Sequence, residues 1–203
     1  MDTLGFQITI YKNVYPPSED SILLAKQLEK LLYAAKTDKS ILDFGTGTGI
    51  FALVAARASA RAVAIDSNID AVKCAKFNAK SNNLHGKIEI RKSISFSAIK
   101  ANELFDIIVA SLPFEDAKPM DELEATVYDE KFKTRINFFK NAAKFLKTNG
   151  CILFAYSDYA ENQAPIAEFL EGYDFTLLKN KLSTHNELNK IYFIKPSARN
   201  KLS

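Results

Sequence analysis

At 203 residues, with 47% hydrophobic and 25% charged side chains, the chain has ordinary globular composition and enough length for one domain with a sizeable core. A formal net charge of +3, carried by scattered basic residues, permits a nucleic-acid partner without arguing for one. The two cysteines, Cys74 and Cys151, are too few for a disulfide framework or a cysteine-based zinc site, so no metal centre is expected and a reducing cytoplasm fits best. Phe6 to Ile10 is a short apolar stretch broken by Gln7 and Thr9, which excludes a signal peptide there, and no apolar run approaches the roughly eighteen residues of a membrane span.

In chain order, residues 1–37 read as an N-terminal extension and helix, and residues 38–198 as the core of a single domain. After an extended lead (Phe6 to Val14) and the Pro16-Pro17 break, Ser18 caps a helix with Glu19 and Asp20 in its first turn; Ile22, Leu23, Leu28, Leu31 and Leu32 form its apolar face. Strands and helices then alternate: Ile41 to Phe44, helix Ile50 to Ser59, Ala62 to Ile65, helix Ile69 to Asn82, Lys87 to Arg91, Phe105 to Ala110. The stripe Phe132, Ile136, Phe139, Ala143, Leu146 predicts a helix of about twenty residues stopped by Asn149-Gly150. Strand Cys151 to Tyr156, helix Ala160 to Leu170 and a strand pair (Phe175 to Lys181, Ile191 to Lys195) follow, before a polar tail from Pro196. Such alternation implies an α/β fold with a mostly parallel sheet, helices on both faces and a C-terminal antiparallel hairpin. Lys87 to Arg91 alternates charged and apolar residues, as an exposed edge strand does.

The first chemical signal is Asp43-Phe44-Gly45-Thr46-Gly47-Thr48-Gly49, at the end of one predicted strand and the start of a helix, answered by Asp66 at the end of the next strand. Glycines there let the backbone turn tightly and approach a ligand without a Cβ in the way. The G-x-G-x-G spacing differs from the G-x-G-x-x-G of a dinucleotide site, and a carboxylate two residues before the first glycine would repel a pyrophosphate but suit an ammonium group. Asp66 has the reach to accept hydrogen bonds from both hydroxyls of a ribose. The second signal is Ser111-Leu112-Pro113-Phe114 after the strand Asp106 to Ala110, delivered to the same end of the sheet.

The glycine loop resembles motif I of the class I methyltransferases, which implies S-adenosylmethionine as cofactor, held by Asp43, Gly45, Gly47, Gly49 and Asp66, and a seven-stranded Rossmann-like sheet. Ser111-Leu112-Pro113-Phe114 resembles the Asn/Asp/Ser-Pro-Pro-Tyr/Phe turn of enzymes that methylate planar nitrogens. The resemblance implies that Ser111 and the backbone carbonyl of Leu112 accept the two N–H bonds of the acceptor, while Phe114 stacks on its planar group and Pro113 shapes the turn. Those bonds strengthen as charge grows on nitrogen, so they favour the transition state. Val14-Tyr15-Pro16-Pro17-Ser18-Glu19-Asp20-Ser21-Ile22-Leu23-Leu24 is similar to the segment preceding motif I in HemK-type release-factor glutamine methyltransferases, where the position of Ser21 contacts the cofactor. The matches span residues 14 to 114.

Three departures accompany the resemblance. Ser93 stands where the family carries an acid for the adenine amino group, and about forty residues before the first core strand leave no room for the helical recognition domain of the bacterial enzymes. Ser111 replaces the commoner asparagine with a shorter group that can donate as well as accept. The leading expectation is methylation of a protein glutamine; the alternatives are an RNA or DNA amino group, a small-molecule nitrogen, or an inert cofactor-binding subunit. Glu115 and Asp116 border the turn, the segment Lys118 to Glu130 is acidic, and His85 and His185 read as solvated turn residues.

Overall fold

In the computed structural model, which describes residues 1–35, 38–184 and 188–197, a small antiparallel pair, β1 (Asp2–Thr3) and β2 (Phe6–Gln7), leads into helix α1 (Glu19–Ala35). Then follow β3 (Ser40–Phe44), α2 (Ile50–Arg57), β4 (Arg61–Asp66), α3 (Ile69–Ser81), β5 (Ile88–Lys92) and β6 (Phe105–Ala110). Helix α4 (Lys133–Ala142), β7 (Leu146–Ser157), α5 (Asp158–Gln163), β8 (Tyr173–Leu182) and β9 (Leu188–Pro196) complete the order. His185 and the tail beyond residue 197 lie outside the described residues.

Seven strands form one sheet in the order β5-β4-β3-β6-β7-β9-β8. The first five in that order run parallel, and β9 pairs antiparallel with both β7 and β8, as the alternation of elements predicts. Successive strand residues point to opposite faces, and both faces are buried. Ile41, Ile107, Val109 and Leu153 pack with α1 and α2 in one core, while Leu42, Ile108, Ile152 and Phe154 pack with Phe138 and Phe139 of α4 in the other. The chain leaves β3 toward β4 on one side and later returns to place β6 on the other. The carboxyl ends of β3 and β6 therefore flank a switch point, the place where such sheets bind ligands.

β5 is an edge strand as expected, and its Arg91 is paired with Glu103 and Glu89. Two expectations fail. The helix expected to end at Asn149-Gly150 closes at Ala142, a 3-10 turn covers Ala143–Phe145, and Leu146 already pairs with Phe105. Asn149-Gly150 instead lies in an irregular stretch of β7 between the pairings of Leu146 and Cys151, so close to β6 that a Cβ on Gly150 would sit 2.9 Å from the Phe105 carbonyl oxygen. The buried face of α4 is Arg135, Phe138, Phe139 and Ala142, and Ile136 is exposed. The helix expected from Ala160 to Leu170 starts earlier, capped by the Ser157 hydroxyl, and ends at Gln163; Pro165 cannot continue it, and a 3-10 turn takes over at Ile166–Phe169.

Candidate active site

The loop after β3 is held from beneath by Asp43. This residue is fully buried; its Oδ2 accepts the Thr46 hydroxyl at 2.7 Å and the Ala52 amide at 3.0 Å, so one carboxylate oxygen ties the glycine loop to the first turn of α2. Burial pushes the carboxyl up to about 7 against the pull of those two bonds, and Oδ1 has no partner. Gly45, Gly47 and Gly49 all have positive φ. Gly49 is the most constrained: φ is 88° and a Cβ would come within 3.2 Å of Ala75 on α3. A Cβ on Gly47 would meet nothing within 4 Å among the described residues beyond its chain neighbours, so the space beside it is open. Asp66 at the end of β4 closes the arrangement, its Oδ2 accepting the Gly47 amide at 3.0 Å and its Oδ1 the Asn68 amide at 2.8 Å. Each oxygen keeps a further lone pair for a ligand hydroxyl. Burial raises this carboxyl too, while the backbone bonds hold it down.

Ser111 ends up across the switch point from the glycine loop, and a Cβ on Gly45 would lie 3.9 Å from the Leu112 side chain, so the two predicted motifs adjoin. The Ser111 hydroxyl donates to Asp20 Oδ2 at 3.0 Å, from the first turn of α1. Asp20 Oδ1 takes the Ser18 hydroxyl proton, and the Ser18 oxygen lies 2.9 Å from Ser21 Oγ. With the Ser18 proton committed, Ser21 is the donor of that last contact. Ser18 thus does not cap α1 as expected; it serves a chain Ser21, Ser18, Asp20, Ser111 that commits each hydroxyl proton and leaves the Ser21 and Ser111 oxygens as acceptors toward the cleft.

Ser93 lines the cleft; it is buried, donates its hydroxyl to the Ser95 carbonyl at 2.7 Å and accepts the Ala98 amide at 3.0 Å, so the same side chain also closes its own turn. Glu115 and Asp116 also serve the local frame: the Glu115 backbone bridges to Tyr128, and Asp116 accepts the Lys131 amide. His85 is exposed in a 3-10 turn, as expected.

Three contributors escaped the sequence reading. Asp20 was counted as a helix-terminus charge. Asn78, fully buried on α3, accepts the Thr9 amide at 2.9 Å and donates to the carbonyls of Thr9 and Thr48, binding the N-terminal lead to the glycine loop. Arg135, fully buried on α4, donates to the Pro113 carbonyl at 2.9 Å and the Tyr156 hydroxyl oxygen at 2.6 Å. Its signal was available: Arg135, Phe138, Phe139 and Ala142 follow helical spacing, which puts the arginine on the apolar face.

These elements enclose a cleft of about 1030 Å³ lined by Ser21, Gly45, Gly47, Asp66, Ser93 and the turn Ser111, Leu112, Pro113 and Phe114, enough for a nucleoside-sized cofactor and an acceptor group. Glu19, Asp20, Glu122, Asp129 and Glu130 make its wall predominantly acidic, with Lys133 as the counterweight. Asp43 is not among the residues lining this wall; it anchors the loop from behind through its Oδ2. The unpartnered buried Oδ1 and the open space beside Gly47 nonetheless suit a cationic, adenosine-bearing ligand. Among the described residues there is no acid, cysteine and histidine cluster that could hold a metal ion, and no helix is long and apolar enough to cross a membrane.

Comparison with known proteins gives the family. A Methanocaldococcus jannaschii protein provisionally named a protein N5-glutamine methyltransferase is 34% identical over 141 residues, covering 69% of this chain and 62% of that protein. The release factor glutamine methyltransferase of Shewanella oneidensis is 34% identical over 155 residues, covering 70% of this chain but 52% of the relative. The chain thus spans between about half and three fifths of the length of these relatives. Among solved structures, the Thermus thermophilus 16S rRNA N2 G1207 methyltransferase, in complex with S-adenosylmethionine and guanosine, superposes with a TM-score of 0.73 at 21% identity, covering 97% of this chain and 49% of that one, and so shares the fold. The model of the methyltransferase small domain matches residues 18–183, from the helix that carries Asp20 through the glycine loop and the Ser111 turn to the final strand pair, and the chain belongs to that family of S-adenosylmethionine-dependent methyltransferases.

Proposed function

We propose that this chain methylates the side-chain amide nitrogen of a protein glutamine, using S-adenosylmethionine. The observation that carries the reading is the Ser111 hydroxyl bonded to Asp20 at the mouth of the glycine loop. A serine in this position could donate or accept; with its proton held by Asp20 it presents lone pairs only, which is what an N–H of an amide requires. When bound, the cofactor supplies a methyl group already activated on a sulfonium. Ser111 and the Leu112 carbonyl then orient the amide and take its two N–H bonds, and Phe114 gives its plane a surface to lie on. An amide nitrogen is a poor nucleophile because its lone pair is delocalised, and acceptors on both N–H bonds favour the pyramidal, charge-bearing transition state. Asp66 holds the ribose in this reading, and Ser21 accepts from a ligand donor. The names of the two relatives support glutamine as the acceptor, and the acidic wall supports a peptide over a phosphodiester backbone.

Transfer of labelled methyl from the cofactor into purified release factor, compared with the same factor lacking the candidate glutamine and with bulk RNA and DNA, tests this. Label in the unsubstituted factor alone is the expected result; label in nucleic acid would overturn the choice of acceptor.

A further inference from the structure

We propose that Arg135 is a positioning residue that sets the peptide plane of the catalytic turn, a role that rests on the methyltransferase reading of that turn. A fully buried guanidinium is costly, and among the described residues this one makes no ion pair. Its Nε has no partner, and burial lowers its pKa. In place of a carboxylate it has aromatic faces: its guanidinium carbon lies 4.8 Å from the ring centres of Phe132, Tyr156 and Phe169. Such faces attract a cation when water is excluded.

The chain is strained to build this cage. Lys131 and Phe132 sit in succession at φ 56° and 51°, a region bulky residues avoid, and that excursion precedes α4 and brings Phe132 to the guanidinium. Asp129, buried, accepts the Thr134 and Arg135 amides and fixes where the helix begins. All of this converges on one peptide group. Arg135 donates to the Pro113 carbonyl at 2.9 Å, while the Phe114 amide of the same peptide bond donates to the Val127 carbonyl at 3.0 Å. Proline fixes its own φ but offers no N–H, so the plane that follows it is set by these two bonds. That plane sets where the Phe114 ring stands, edge-on to Tyr159 at 5.8 Å, and where the Leu112 carbonyl is presented on the other side of the proline.

Packing alone does not require an arginine here, because an apolar side chain of similar volume in place of a buried charge is often neutral or stabilising. Arg135→Met is therefore expected to keep the melting temperature and cofactor affinity while lowering kcat by about ten- to a hundredfold, the effect of a misplacement on the order of 1 Å. Arg135→Lys, which still offers a donor to Pro113, should recover part of the loss. Amide exchange at Phe114 should quicken in Arg135→Met, with the amides of Ile107 to Val109 unchanged. The exchange readout needs no acceptor, so it stands even if methyl transfer to glutamine is not found, and that failure would count against the acceptor alone. Unaltered kcat and unaltered Phe114 exchange in Arg135→Met would overturn the role. So would unfolding of both Arg135→Met and Arg135→Lys, which would make the residue a structural one.

Discussion

Asp43→Asn separates the electrical cost of the loop anchor from its geometric role. The carboxyl is fully buried and pushed from an ordinary 3.8 to about 7, with desolvation as the main cause. Because the folded-state pKa is raised, the proton binds more tightly in the folded chain. The stabilising influence of the protonated form is complete below about pH 4 and is lost as the pH rises through about 7. At ~1.36 kcal/mol per pH unit, that loss amounts to about 4 kcal/mol in the unliganded protein. Asparagine keeps an oxygen for the Thr46 hydroxyl and the Ala52 amide but carries no charge. Its NH₂ replaces Oδ1, which has no partner, and an unmet buried donor costs about 1–3 kcal/mol at every pH. The variant should be less stable than the parent near pH 4.5 and more stable near pH 8, the difference shifting in its favour by about 3 kcal/mol between them, since part of the window lies below pH 4.5. Urea unfolding of both proteins at several pH values measures this directly. A difference that stays flat with pH would show that Asp43 is not a buried, reluctantly ionised group. If Asp43 also meets the cofactor's ammonium group, the same variant should bind S-adenosylmethionine more weakly, and cofactor binding to the parent should release a proton near neutral pH.

Other substitutions test neighbouring parts of the site. Asp66→Ala should weaken cofactor binding by about 1.5–3 kcal/mol, the scale of a charge-assisted hydrogen bond, and calorimetry that finds an unchanged dissociation constant would place the ribose elsewhere. Ser111→Ala should lower kcat by about ten- to a thousandfold with cofactor affinity nearly unchanged. Ser111→Asn should keep or raise activity, since its amide oxygen accepts without help from Asp20; full activity in Ser111→Ala would leave the turn with a structural role only. Gly49→Ala should destabilise by about 2–4 kcal/mol, combining a left-handed conformation with a Cβ forced against Ala75, and a thermal melt that does not move would contradict the packing of α2 on α3.

The sheet was legible in the sequence because strands buried on both faces read as apolar runs, and Ile41 to Phe44 and Phe105 to Ala110 are such runs. The glycine loop was legible because three positive-φ glycines leave a pattern no ordinary turn needs. Asn149-Gly150 misled because the same pair that ends a helix also suits an irregular strand, and only the pairing of Leu146 with Phe105 decides between them. The apolar stripe of α4 was placed one residue off at Ile136 and Ala143 because an apolar periodicity passes over an arginine, and the partners that make the burial of Arg135 tolerable come from Phe132, Tyr156 and Phe169, far apart in sequence. Asp20 and Ser111 are separated by 91 positions, and no local pattern shows that one takes the other's proton.

The single amide of Asn78 fixes two segments to one point of α3. Its oxygen and nitrogen hold the lead segment at Thr9 and the glycine loop at Thr48 at once, so the loop is ordered by the same side chain that orders the strand-like lead after β2. The entropy of fixing the loop is therefore spent when the chain folds, and a ligand arriving later has little left to organise. Binding of this kind is fast, nearly rigid-body and cheap in heat capacity beyond the surface it covers. Loosening the lead, for instance with Asn78→Ala, would convert it into slower, weaker binding in which the ligand must also finish the folding of its own cradle.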